Sequence, residues 1–166
     1  MQQQSGIRTV AYIGLGANLG QSRNTLQLAL QELQALPEIL ELRCSRFYRS
    51  APVDSSGPDY VNAVARLVTT FTSQALLRAL QQIELAHGRE RPYRNAPRTL
   101  DLDILLFGNE SSNDPVLTLP HPRMHQRAFV LKPLQELAPS LRLPHGDLAS
   151  LLSQCEDQPL QLLDSN

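Results

Sequence analysis

Two aspartates and one arginine stand at the head of an apolar stretch in the middle of the chain. The stretch runs from Arg98 through Asp101 and Asp103 to Gly108. It is short and rich in branched side chains, which predicts a β-strand, and apolar residues on both faces are typical of a central strand. Side chains alternate along a strand, so the two carboxylates point the same way, roughly 7 Å apart. Buried carboxylates need a cationic partner, and this pair suits one or two magnesium ions.

The same alternation assigns faces to the apolar residues of this strand. Leu105 and Phe107 should continue the aspartate face. The opposite face should carry a second, wholly apolar set: Leu100, Leu102, Ile104 and Leu106.

A proline-broken basic loop precedes the strand and contributes Arg89, Arg91, Arg94 and Arg98. An isolated aspartate pair is more often simply hydrated or paired with an arginine. Metal ions together with arginines are, however, what phosphoryl transfer requires. The loop alone would equally suit a hydrated surface segment, a lid over a triphosphate or an RNA contact. Neither a P-loop motif nor the protein-kinase motifs are present.

Tyr60 and Asn62 share one face of another predicted strand. A tyrosine ring and a carboxamide at this spacing could hold a flat heterocycle by stacking and hydrogen bonding, although a tyrosine in the protein core fits the pattern as well. On the helix that follows, Gln81 and Glu84 lie three residues apart and therefore on one side.

His121 lies between two prolines and is either a turn residue or a phosphate contact, together with its neighbours Thr118, Arg123 and Arg127. Its spacing to His125 is that of a pair of zinc ligands on a helix. Pro122 argues against a helix that spans both, so zinc is disfavoured.

The elements that must position these residues follow a recognisable order. We predict strand 9–15 closed by a glycine-rich turn, helix 26–36, strand 40–52, strand 60–71, a helix capped by Thr72 or Ser73 and ended by Gly88, and strand 101–107. This βαββαβ order is the split βαβ arrangement of ferredoxin-like α+β folds, with a mainly antiparallel sheet whose middle is the first and third strands. A short strand 116–119, a helical segment 128–137 and a helix 148–154 would form a C-terminal extension.

Length and composition predict one domain over residues 1–166, with residues 1–6 flexible. The 166 residues carry a formal net charge of -1, which gives no general attraction to nucleic acid or membranes. No secretory signal or membrane-spanning stretch is apparent, and Cys44 and Cys155 match no metal or redox spacing. We therefore expect a cytoplasmic protein, and nothing in the sequence requires more than a monomer.

Several segments together resemble 6-hydroxymethyl-7,8-dihydropterin pyrophosphokinases, over about residues 8 to 153 in the family's order. The strongest match is the segment from Ala96 to Gly108, which contains both aspartates. Four further segments match the family's first strand, pterin strand, second helix and late loop, namely 12–19, 59–63, 82–89 and 119–124.

The resemblance implies transfer of the terminal pyrophosphate of ATP to the pterin hydroxymethyl group, with release of AMP. It implies two Mg²⁺ ions held by Asp101 and Asp103, with Arg98, Arg89 and Arg91 as further catalytic residues. The implied ATP contacts are Gln81, Glu84, Arg98, Ile104, Thr118, His121 and Arg127. The implied pterin contacts are Ser50, Val53, Tyr60, Asn62, Asp101 and Phe129.

Two positions depart from the family pattern. Asn95 stands where some members have a tryptophan that folds over the closed site, and Val116 stands where some have an arginine. The alternatives to this assignment are another magnesium-dependent nucleotidyl or phosphoryl transferase and a non-catalytic RNA-binding module.

Overall fold

The structure is a computed structural model that describes residues 4–18, 22–50, 59–87 and 100–163. Its strands are β1 (Gln4–Ala17), β2 (Ile39–Cys44), β3 (Tyr48–Ser50), β4 (Tyr60–Phe71), β5 (Asp101–Phe107), β6 (Ser112–Asp114), β7 (Leu117–Leu119), β8 (Arg142–Leu143), β9 (Gly146–Asp147) and β10 (Leu160–Leu162). Its α-helices are α1 (Ser22–Gln34), α2 (Ser73–Ala86), α3 (Ala128–Leu137) and α4 (Leu148–Ser153), with a 3-10 helix at Met124–Gln126.

One six-stranded sheet organises the molecule, in the order β10-β3-β4-β1-β5, with β2 also paired to β4. Each of its strand pairs is antiparallel. The predicted first and third strands, β1 and β4, lie at its centre. This confirms the ferredoxin-like α+β prediction, in which the two helices of the split βαβ units cover one face.

The two faces of the sheet bury separate apolar clusters. On one face, α1 and α2 pack against alternate residues of β1, β4 and β5, including Ile13, Leu67 and Leu102. On the other face, α3 and α4 cover Tyr12 and Leu105 with their own leucines and valine. In the described part of the chain, this second layer leaves a cavity over part of the sheet. None of the described helices is long and apolar enough to cross a membrane.

Two predicted boundaries were wrong. The glycine-rich segment was expected to turn after residue 15, but Gly14 and Gly16 lie inside β1, which continues to Ala17. The strand expected over 40–52 is two strands, because Ser45 interrupts it: its backbone N–H donates to Val64 O at 2.9 Å, and its hydroxyl accepts from Val64 N at 3.0 Å.

The strand that carries the aspartates differs from expectation in position. In the described part of the sheet, β5 is an edge strand paired only with β1, so the prediction of a central strand was wrong. Two long-range hydrogen bonds protect its open edge. The Glu84 carboxylate accepts from Leu102 N at 2.8 Å, and His121 N donates to Leu105 O at 2.9 Å. Covering an edge in this way prevents it from pairing with another chain.

The predicted faces of β5 hold only for its first half. Its register against β1 shifts between Tyr12 and Ile13, which leaves Leu105 as an extra residue. Such a bulge reverses the alternation beyond it. Phe107 therefore packs with the cluster under α1 and α2, and Leu106 packs with the cluster under α3, the opposite of the prediction. The bulge leaves Asp101 and Asp103 on their shared face.

Candidate active site

The site begins with a row of cross-strand neighbours on the open face of the sheet. On β5, Asp101 pairs with Gly16 of β1, and Asp103 pairs with Gly14 of β1. On its other side, Gly16 pairs with Asn62 of β4. Directly paired residues on antiparallel strands share a face. Because the two glycines have no side chains, nothing projects from β1 beside either carboxylate, and Leu105 and Asn62 lie next to the glycine positions. Asp101, Asp103 and Asn62 therefore lie around the backbone of Gly14 and Gly16, which we call the glycine floor.

A cavity of about 880 Å³ stands on this floor. Its walls come from four parts of the chain: the sheet, the loop before α3, the start of α3 and the segment after α4. Among the predicted site residues it is lined by Ser50, Tyr60, Asn62, Asp101, Asp103, Arg127 and Phe129. The fold thus brings residues from 50 to 129 to one site, within the volume usual for small-molecule pockets.

The Asn62 side chain is held in one orientation. Its Nδ2 donates to Ser50 Oγ at 2.7 Å, and Asn62 is only 4 % exposed. A Cβ atom placed on Gly16 would lie 3.2 Å from Asn62 Oδ1, so the oxygen faces the glycine floor. Asn62 therefore presents a fixed hydrogen-bond acceptor at the end of the cavity that also contains Tyr60.

Arg127 brings positive charge to the acid end of the cavity. It is the single extended residue, with φ -121° and ψ 111°, between the 3-10 helix and α3. Burial lowers the pKa of the Arg127 guanidinium, while Asp103 and, more weakly, Asp101 act in the opposite direction and Arg123 adds to the lowering. Its guanidinium carbon lies 5.5 Å from the centre of the Phe129 ring. One side of the cavity thus combines an arginine with an aromatic ring.

His121 lies at the edge of β5, where its backbone N–H donates to Leu105 O, and its side chain is neutral. Its Nδ1 accepts from Arg123 N at 3.1 Å, which leaves the ring proton on Nε2. Burial lowers the pKa of His121 to about 4, and the charges of Arg127 and Arg123 act in the same direction. At neutral pH the ring is therefore a hydrogen-bond donor without a positive charge.

This burial predicts a pH-dependent stability. The unfolded chain protonates His121 near the ordinary pKa of 6.5, whereas the folded chain does so only near pH 4. Between pH 6.5 and about 4 the unfolded state binds more protons than the folded state. The contribution of neutral His121 to the free energy of unfolding is therefore present above this pH range and is lost as the pH falls through it. Urea unfolding should show the wild type losing stability relative to His121→Asn, by up to about 1.4 kcal/mol per pH unit. If the unfolding free energies of the two proteins fell in parallel with pH, protonation of His121 would not be the cause of the loss.

Four other predicted residues that the structure describes lie outside the cavity lining. Glu84 and Ile104 are each 4 % exposed and belong to the α2 side of the sheet, and Gln81 is on α2 as well. The Thr118 hydroxyl donates to Asp114 O at 3.0 Å, within the β6–β7 hairpin. Their contacts with a nucleotide remain predictions. Val53, Arg89, Arg91 and Arg98, with Asn95, fall outside the described residues.

Sequence reasoning missed several residues of the cavity. Gly14 and Gly16 were expected either to form a tight turn or to allow close approach of another strand, and neither was predicted to line the cavity. Asp157 and Gln158 reach the cavity from the segment after α4. No local pattern marks that segment, because only the tertiary fold brings it to the site.

The two aspartates fit a magnesium site. They offer oxygen donors on one strand face beside a bare floor, in a cavity with room for water and phosphate. Magnesium in nucleotide enzymes is commonly held by one or two carboxylates and completed by substrate oxygens. No cluster of three or more histidine, cysteine or acidic ligands occurs among the residues the structure describes. Phosphate and water oxygens are the usual further ligands of magnesium at such sites.

Comparison with known proteins assigns the chain to a family. Residues 12–139 match the model of 7,8-dihydro-6-hydroxymethylpterin-pyrophosphokinase (HPPK). The chain is 47% identical to the 2-amino-4-hydroxy-6-hydroxymethyldihydropteridine pyrophosphokinase of Pseudomonas aeruginosa, over 92% of this chain and 95% of that protein. The enzyme of the same name from Haemophilus influenzae is 43% identical over 90% of this chain and 95% of its own length.

Solved structures agree on the fold. A crystal structure of Plasmodium falciparum HPPK-DHPS, wild type with pterin and p-hydroxybenzoate, superimposes with a TM-score of 0.66 at 13% sequence identity. The superposition covers 92% of this chain and 42% of that longer chain. At this identity the likeness concerns the fold alone, and the sequence relatives supply the activity. The chain therefore belongs to the 7,8-dihydro-6-hydroxymethylpterin-pyrophosphokinase family and is a pyrophosphokinase of folate biosynthesis.

Proposed function

We propose that this enzyme transfers the terminal pyrophosphoryl group of ATP to the hydroxymethyl oxygen of 6-hydroxymethyl-7,8-dihydropterin, with two Mg²⁺ ions. The observation that carries the proposal is that one cavity brings together two kinds of side chain. Asp101, Asp103 and Arg127 supply charge, and Tyr60, Asn62 and Phe129 supply flat and hydrogen-bonding groups. The first set suits a metal-bound triphosphate and the second a heterocycle.

In the transfer, the pterin hydroxyl oxygen forms a bond to the β-phosphorus of ATP. The bond between that phosphorus and the oxygen bridging to the α-phosphorus breaks, AMP leaves with that oxygen, and the hydroxyl proton passes to solvent. Magnesium, when bound, neutralises charge on the phosphate oxygens. The chain itself needs no nucleophile for this reaction, because both reacting groups belong to the substrates.

The residues of the chain act by positioning and by charge. Tyr60 and Phe129 would flank the pterin ring, and the fixed Asn62 oxygen would accept a hydrogen bond from a pterin N–H. Arg127 would stabilise the negative charge that develops on the transferred group. Arg98, Arg89 and Arg91 are proposed as further phosphate ligands from the loop ahead of β5.

The nucleotide product tests the proposal. The protein should be incubated with ATP, Mg²⁺ and 6-hydroxymethyl-7,8-dihydropterin, and the nucleotides separated by chromatography. AMP should appear in equal amount to the pterin diphosphate. ADP as the only nucleotide product would show simple phosphoryl transfer and contradict the proposal.

The glycine floor gives a more local prediction for the pterin end. Gly16→Ala would place a methyl group 3.2 Å from Asn62 Oδ1, closer than most such contacts, and should displace the amide from its Ser50 hydrogen bond. We expect the KM for the pterin to rise roughly tenfold, as misplacement of a binding group by a fraction of an ångström does. The KM for ATP should change little.

Gly14→Ala is the matched control for this variant. Its added methyl group would lie 3.5 Å from the Leu105 side chain, an ordinary van der Waals distance. Steady-state kinetics should therefore find the pterin KM of this control close to that of the wild type. Equal effects of the two substitutions on the pterin KM would argue against a role for Asn62 in pterin binding.

A further inference from the structure

Gln158 makes two hydrogen bonds that bracket Arg127. Its Oε1 accepts from Ala128 N at 2.9 Å, and its Nε2 donates to Gln126 O at 2.9 Å. Both partners are backbone groups, and they are the immediate chain neighbours of Arg127. One is a donor and the other an acceptor, so together they fix which way the carboxamide points. The two bonds span 30 and 32 residues of sequence.

The bonds meet a need that the local chain leaves open. The first backbone N–H groups of a helix have no partner within the helix, and a side chain at the N-cap position usually accepts from one of them. Arg127 is the N-cap residue of α3 and makes no side-chain capping bond. An arginine has no acceptor atom to offer. Gln158 satisfies the Ala128 N–H from outside the helix, and the Arg127 side chain lines the cavity.

The segment around Gln158 is itself anchored on both sides. Its backbone N–H donates to Cys155 O at 3.0 Å, in the turn after α4. Two residues later begins β10, which pairs with β3 in the register Leu160 to Ser50. Ser50 is the residue that holds the Asn62 amide. The Gln158 carboxamide is therefore carried on a backbone fixed to the sheet beside the cavity.

We infer that Gln158 is a positioning residue, which holds the chain on both sides of Arg127 so that its guanidinium faces the carboxylates of Asp101 and Asp103. This inference rests on the proposed binding of phosphate by Arg127. Gln158 also lines the cavity itself. Its effect on the reaction is nevertheless exerted through the backbone of residues 126–128.

A double-mutant cycle separates positioning from general support. Gln158→Met keeps the length of the side chain and removes both hydrogen bonds. It should lower kcat/KM for ATP about tenfold in the wild-type background, as a misplaced charged ligand does. In an Arg127→Ala background the same change should cost less than about twofold, because residues acting through one another are not additive. Equal losses in the two backgrounds would overturn the inference, as would wild-type kinetics of Gln158→Met.

Gln158→Met has two controls. One is the same type of substitution at another position, and the other is intended to lower Tm by a similar amount. Gln161→Met alters an exposed glutamine on β10 and should leave kcat/KM unchanged. Asp147→Ala removes the N-cap of α4, whose Oδ1 accepts from Ser150 N at 2.7 Å, and so loosens the same part of the fold without touching residues 126–128. If Asp147→Ala lowered kcat/KM as much as Gln158→Met at an equal drop in Tm, Gln158 would be merely structural.

The inference and the proposed function fail in different ways. AMP formation by the wild type reports on the proposed function. The cycle can be repeated on the binding of a non-hydrolysable ATP analogue with Mg²⁺, measured by calorimetry, which needs no turnover. Coupling between the two positions is expected in that cycle as well, and its absence there would also overturn the role of Gln158.

Discussion

Asp101→Asn and Asp103→Asn should each lower turnover about a hundredfold or more, the usual cost of losing a main electrostatic stabiliser of the transition state. Asparagine has nearly the shape of aspartate but carries no charge, so the change weakens a proposed metal ligand while the packing of β5 stays intact. Both side chains line the cavity on the same face of the strand. Steady-state production of AMP at saturating ATP and Mg²⁺ measures the effect.

Glu41→Gln is the control for these two variants. Glu41 is exposed on β2, which pairs with β4 at residues 65–69, outside the cavity lining. It removes one carboxylate charge from the same sheet and should leave turnover unchanged. Circular dichroism and thermal unfolding should show that all three variants are folded. Turnover close to the wild type in either aspartate variant would contradict the metal assignment.

Glu84→Ala should reduce both stability and activity. The Glu84 carboxylate is 4 % exposed and accepts from Leu102 N, the residue between the two aspartates. Without it, a buried backbone N–H on an edge strand loses its partner, which costs about 1–3 kcal/mol of unfolding free energy. The strand end that carries the aspartates should also become less well fixed. We therefore expect kcat to fall by about tenfold or more.

Two further substitutions make this result specific. Glu84→Gln keeps an oxygen that can accept from Leu102 N, so it should retain more stability than Glu84→Ala in urea unfolding. Glu32→Ala removes a half-exposed carboxylate of α1 that lies 3.1 Å from His87, and such surface pairs contribute less than about 1 kcal/mol. If Glu84→Ala kept wild-type kcat while losing stability, the bond would hold the fold without positioning the aspartates.

Local patterns were sufficient for several of the regular elements. Strand β4 begins at Tyr60 and ends at Phe71, as its alternation and β-branched residues predict. Thr72, one of the two residues expected to cap α2, does so by accepting from Ala75 N. The strand order followed from the βαββαβ sequence of elements, because few topologies satisfy it. The shared face of Asp101 and Asp103 followed from strand alternation alone.

The features that sequence patterns missed depend on contacts between distant residues. The bulge at Leu105 is a matter of register with β1 and has no local signature. The edge position of β5 is tolerated because Glu84 and His121 cover it with hydrogen bonds. Neither contact can be read from the sequence around these two residues. Gln158 reaches the site from a segment with no recognisable chemistry. In each case the long-range partner, rather than residue type or spacing, decides the structure.

Locating the metal ions tests the central claim most directly. The protein should be crystallised with Mn²⁺ in place of Mg²⁺, a non-hydrolysable ATP analogue and the pterin, and the metals located by anomalous scattering. We predict two peaks between the phosphates and the carboxylates of Asp101 and Asp103, each about 2.0–2.2 Å from oxygen ligands. Metal ions bound only to phosphate and water, away from both carboxylates, would contradict the account.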